Sequence, residues 1–166
     1  MSIQNLNLPA KRDESDAKID YRRRLADLVT KNVADTLLLM IKTQGVHWNI
    51  VGPHFLPVHT LTEEHYRDLF EAADTLAERI RALGYRAPAN IGHMREISTV
   101  SETAGDQTAE EMIKELESDH EAVAKRMRGV VKIAESLDDT VTADLLTARI
   151  EFHEKAVWML RSILGR

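Results

Sequence analysis

Apolar residues recur at three- and four-residue steps along most of this chain, and the steps break only at clusters of glycine, proline and aspartate. Over residues 21–50 the rhythm is carried by Leu25, Leu28, Val29, Leu37, Met40 and Ile41, which predicts an amphipathic helix. Gly52 and Pro53 end it, because proline disfavours helical geometry in the residue before it. A second helix is predicted over residues 57–83. Pro57 suits its first turn, where no intrahelical N–H bond is lost, and Gly84 suits a C-terminal cap. Residues 85–107 form a long connection containing Pro88, Gly92 and Gly105, with a short helix predicted over residues 94–98. Thr108 and Glu111 have the spacing of a capping box and open a third long helix, to residue 137. Asp138, Asp139 and Thr140 break the pattern, and a fourth helix runs to residue 164 ahead of Gly165.

Four long helices with almost no strand signal predict an all-α four-helix bundle. The 85–107 connection is longer than an up-and-down bundle needs, so one crossover between helices two and three is expected. Residues 1–19 are polar, contain Pro9 and lack an apolar rhythm. They are expected to form a flexible tail ahead of a single domain over residues 20–166.

Composition narrows the class. A chain of 166 residues suits one domain. It has no cysteine, which rules out a disulfide framework and thiolate metal sites. The longest aliphatic run, residues 37–41, is far short of the ~20 residues a membrane span needs. The first five residues lack the basic start and apolar stretch of a secretory signal. A cytoplasmic protein without a membrane partner is expected. Net charge is −5, a poor match to a nucleic-acid binder. It suits a protein that attracts cations, especially where assembled copies add their fields.

The candidate chemistry lies between His47 and Glu78. His59 and Glu63 are four apart on helix two and share a face, as do Asp74 and Glu78. Gly52-Pro53 falls about midway between His47 and His59, so a chain that folds back there sets the two histidines level. His59 and Asp74, however, lie roughly 22 Å apart at 1.5 Å rise per residue, while ligands sit about 2 Å from a metal. Either these are two unrelated half-sites, or a second, antiparallel copy brings its Asp74 and Glu78 to the first copy's histidines. A two-fold dimer would create both sites at once. Imidazoles with carboxylates suit Fe(II), Zn(II) or Mn(II).

His47-Trp48-Asn49, then Gly52, His59, Glu63, Asp74 and Glu78 at these intervals resemble the ferroxidase signature of the Dps family, the DNA-protecting mini-ferritins of starved cells. The resemblance runs from about residue 20 to the end. It implies a ferritin-like bundle assembled as a dodecamer, a hollow shell built from two-fold dimers. It also implies a dinuclear iron site at the two-fold interface, with His47 and His59 from one subunit and Asp74 and Glu78 from its partner. Glu63 would stand at the second iron, where many members carry aspartate, and Trp48 beside the site. The implied activity is oxidation of Fe(II) to Fe(III), preferentially by hydrogen peroxide. Ferric mineral would be stored inside and DNA spared oxidative damage. Zinc is a conceivable surrogate for iron.

Other readings use the same residues differently. One is a non-enzymatic assembly that compacts DNA, with a structural metal at the site. Another is an in-bundle di-iron oxidase on Glu117 and His120, which match a Glu-x-x-His motif; such sites need two of these motifs, and the chain has one. His54, His65, His93, His120 and His153 are read as ordinary surface or capped imidazoles. Asp138, Asp139 and Asp144 suit a helix start, and the resemblance adds an acidic three-fold channel for iron entry. Some Dps proteins bind DNA through a lysine-rich tail. Here Lys11, Arg12 and Lys18 are opposed by Asp13, Glu14, Asp16 and Asp20, with Arg22, Arg23 and Arg24 following. Direct DNA binding is expected to be weak and salt-sensitive.

Overall fold

The computed structural model of the chain describes residues 14–103 and 105–166, with side chains from Lys18 onward. Lys11 and Arg12 therefore lie outside the described residues. Five helices follow in order: α1 (Glu14–Asn49), α2 (Phe55–Ala82), α3 (Ile91–Ile97), α4 (Ala109–Ser136) and α5 (Thr140–Ile163). α1 begins before the apolar rhythm does and takes in residues 14–19, which the sequence pattern assigned to the tail. Helix propagation adds one hydrogen bond per residue once a turn exists, so a packed helix can extend beyond the apolar rhythm that marks it.

Chain punctuation works by identifiable caps. α1 ends with Ile50 N–H donating to the Val46 carbonyl, and Gly52 then takes φ +83°, a left-handed conformation that favours glycine. At the end of α2, Tyr85 N–H reaches the Ile80 carbonyl and Gly84 N–H reaches that of Arg81. Together these make a Schellman motif with Gly84 in the left-handed position. α4 ends in the same way, with Asp138 (φ +55°) in place of glycine. The next residue, Asp139, caps α5 by accepting from Thr142 N–H at 2.9 Å. The capping box at Thr108 and Glu111 is formed, with both reciprocal bonds present.

α1 packs antiparallel to α2, and α4 antiparallel to α5; α1 also lies against α4, and α2 against α5. The core is made of side chains such as Leu25, Val29, Leu39, Leu69, Leu76, Leu116, Met127, Leu146 and Leu160, all essentially without solvent exposure. The crossover that lets α4 run parallel to α2 is held by buried charges. Asp35, fully buried, accepts from Ser98 Oγ, Thr99 N–H and Arg126. Lys42 donates to the Ser101 carbonyl at 2.9 Å and pairs with Glu115 and Asp119 at 2.7 Å each. Such charges are tolerated inside because each has partners that replace water. Among the described residues no helix is long and apolar enough to cross a membrane.

Candidate metal centre

The short α1–α2 hairpin brings His47 and His59 face to face. Their rings stack at 3.8 Å between centroids, 17° from parallel. Each binds the other's backbone: His47 Nδ1–H donates to the His59 carbonyl at 2.8 Å, and His59 Nδ1–H donates to the His47 carbonyl at 2.9 Å. A carbonyl oxygen can only accept, so both Nδ1 atoms carry the proton. In the neutral ring this tautomer leaves the lone pair on Nε2, the form a metal ligand requires. Phe55 stacks on the outer side of His59 at 5.1 Å, and Tyr66 meets His47 edge-on at 5.4 Å. Both histidines are partly exposed, and Trp48 beside them is 69% exposed.

Glu63 lies one turn along α2 from His59, ion-paired with Arg67. Asp74 and Glu78 stand farther along the same face of α2, both exposed. Among the described residues no three histidine, aspartate or glutamate side chains gather so as to hold a metal ion. Within one chain the candidates therefore divide into a histidine half and a carboxylate half. The two halves are symmetric along the helix. Glu63 and Asp74 are equidistant from the point between Asp68 and Leu69, and so are His59 and Glu78. One antiparallel register of two α2 helices thus brings both pairs together at once. Phe70, 65% exposed, lies near that midpoint, and exposed Trp48, Val51 and Leu56 lie toward the hairpin end.

A family model described as a ferritin-like domain matches residues 26–166. The DNA protection during starvation protein 2 of Bacillus anthracis is 34% identical, across 87% of this chain and 99% of that protein. The Dps protein of Bacillus brevis superposes with a TM-score of 0.84 at 32% identity, over 87% of this chain and 97% of the other. This chain belongs to the Dps family. Dps from Vibrio cholerae O1, titled a member of a broad superfamily of ferritin-like diiron-carboxylate proteins, superposes at 0.83 with 27% identity, covering 88% and 92% of the two chains.

The other residues singled out from the sequence fall into place around this Dps fold. Glu117 and His120 are both buried but do not converge. Glu117 accepts from Arg161 at 2.7 Å and Arg166 at 2.6 Å, whereas His120 turns to His153. Asp139 is committed to its cap and to Arg79, whose guanidinium reaches both carboxylate oxygens at 2.8 Å. Burial pushes the Asp139 carboxyl up, but Thr142 and Arg79 together hold it below the usual range. Asp138 and Asp144 are exposed, as are Lys18, Arg22, Arg23 and Arg24.

Three histidines correct the surface reading made from sequence. His120 and His153 are fully buried and His65 is 5% exposed. The Nδ1 atoms of His120 and His153 lie 2.8 Å apart, so one donates to the other. Phe152 packs against all three rings and Arg149 lies 4.4 Å over its face. His65 Nδ1 and the Nε2 atoms of His120 and His153 have no partner among the described residues. Burial, opposed by Asp68 and assisted by Lys155, pushes His65 down to about 4; burial with Arg149 and His65 pushes His153 down to about 3. Only the unfolded chain takes up these protons in the window between those values and about 6.5. The contribution of these histidines to stability is therefore complete above pH 6.5 and is lost as pH falls through 6 and 5 toward 4. His65 alone accounts for about 3 kcal/mol across that span. Urea unfolding of His65→Leu should show a flatter decline between pH 7 and 4 than the parent protein; parallel declines would remove His65 as the cause.

Proposed function

We propose that this Dps protein is a ferroxidase and iron store, whose site is completed by two subunits. The observation that carries the reading is the reciprocal His47–His59 clamp, which aims two Nε2 lone pairs from a half-site whose matching carboxylates lie symmetrically placed on α2. Fe(II) is the substrate. His47 and His59 bind it from one subunit, Asp74 and Glu78 from the partner, and Glu63 reaches a second Fe(II). Carboxylates stabilise Fe(III) over Fe(II) and so favour oxidation. Two Fe(II) supply the two electrons that, with two protons, convert one hydrogen peroxide to two waters without releasing a hydroxyl radical.

The wider reading follows from the family. The subunits close into a dodecameric shell in the cytoplasm and retain ferric mineral within it. Asp138 and Asp144 are the carboxylates free to guide Fe(II) at a channel, since Asp139 is taken by Arg79. DNA is protected chiefly by removal of Fe(II) and peroxide. Arg22, Arg23 and Arg24 are the basic residues placed to touch phosphate, where binding would weaken steeply with salt.

Anaerobic protein given Fe(II) and then hydrogen peroxide should yield protein-bound ferric iron in large excess over subunits, at two Fe(II) per peroxide. A structural-metal assembly would instead keep a fixed, small metal content and leave peroxide unconsumed.

A further inference from the structure

Arg67 has no part in the chemistry above, yet it occupies one of its ligands. His59, Glu63 and Arg67 follow at four-residue steps on α2, so their side chains form one row. The Arg67 guanidinium is ion-paired to the Glu63 carboxylate. Tyr66 and then Glu63 hold that guanidinium in its charged form. Tyr66 is itself fixed at its other side, edge-on to His47 at 5.4 Å. A cation is thus tethered within one helical turn of the place where a second divalent ion would bind. The two histidines are differently situated: they spend Nδ1 on backbone carbonyls and leave Nε2 for a ligand.

We infer that Arg67 is a positioning residue that makes the two ion positions unequal by holding Glu63 until a second divalent cation displaces it. The inference rests on the shared-site reading. An ion at His47 and His59 displaces nothing in its own subunit. A second ion must take the Glu63 carboxylate from Arg67 and settle beside a positive charge. Loading is then sequential, and the weaker position sets the Fe(II) concentration at which pairs form. Since peroxide needs two electrons at once, Arg67 controls when the site becomes competent rather than taking part in the reaction.

Co(II), which binds similar ligands without being oxidised by the assay, separates the two steps. The assembled protein would be titrated by calorimetry and by Co(II) visible absorption, alongside Arg67→Gln and Arg67→Lys. The parent should show two unequal dissociation constants per site. Arg67→Gln should tighten the second by about five-fold, the upper range for releasing an exposed ion pair, and leave the first unchanged. Arg67→Lys, which keeps the charge, should retain the inequality. Equal constants in the parent, or a second constant unchanged or weakened in Arg67→Gln, would overturn the role of Arg67 while leaving the site intact. Failure of the parent to bind a first Co(II) would overturn the shared-site reading and this inference together.

Discussion

Replacing Phe70 with aspartate should split the two-fold dimer and abolish iron oxidation while leaving the helices intact. Phe70 is exposed in the single chain, so the substitution removes no packing within the bundle. Its position near the midpoint between the histidine and carboxylate halves means that one change acts twice, once from each copy. Burying a phenylalanine contributes about 1.5–3 kcal/mol, and the symmetric pair loses that contribution twice. The combined loss of several kcal/mol corresponds to a dimer weakened by roughly a thousand-fold or more. Sedimentation should show smaller species, circular dichroism an unchanged helix content, and the Fe(II)–peroxide assay little turnover. An intact particle with full turnover would mean that α2 does not pair about Phe70.

Much of this was legible in the chain because helix geometry is regular. The Gly52-Pro53 break between His47 and His59 foretold that the two rings would lie level, and the rise of α2 ruled out a single-chain site joining His59 to Asp74. The capping box at Thr108 and the crossover likewise followed from spacing and length. The tautomers of His47 and His59 could not be read, because each depends on a backbone carbonyl twelve residues away in sequence.

The buried histidines were missed for a different reason. His120 continues the apolar row of Leu116, Val123 and Met127, and His153 that of Leu146, Val157 and Leu160. Counting histidine as polar hid a periodicity that was present. Asp138 was also ambiguous: its charge suited a helix start or a channel, whereas the structure shows that its backbone, in the left-handed region, closes α4. The early start of α1 left no trace in the pattern because residues 14–18 carry no apolar residue but Ala17, and helical rhythm is read from apolar residues.

A site that needs residues from two chains should be restored by complementation between two inactive variants. His47→Gly with His59→Gly removes the histidine half of every site. Asp74→Asn with Glu78→Gln removes the carboxylate half. Each variant alone should assemble and oxidise Fe(II) at least about a hundred-fold more slowly than the parent, since losing ligands should cost no less than losing the groups that orient them. Produced together in one cell, they form mixed dimers in which one subunit's histidines face the other's carboxylates. Such a dimer has one intact site and one doubly broken site, so random pairing restores about a quarter of all sites. Recovery of roughly a quarter of the parent rate in the mixed particles, with almost none in either alone, is the predicted result. Mixed particles no more active than either variant alone, or full activity in either variant alone, would contradict a site shared between chains.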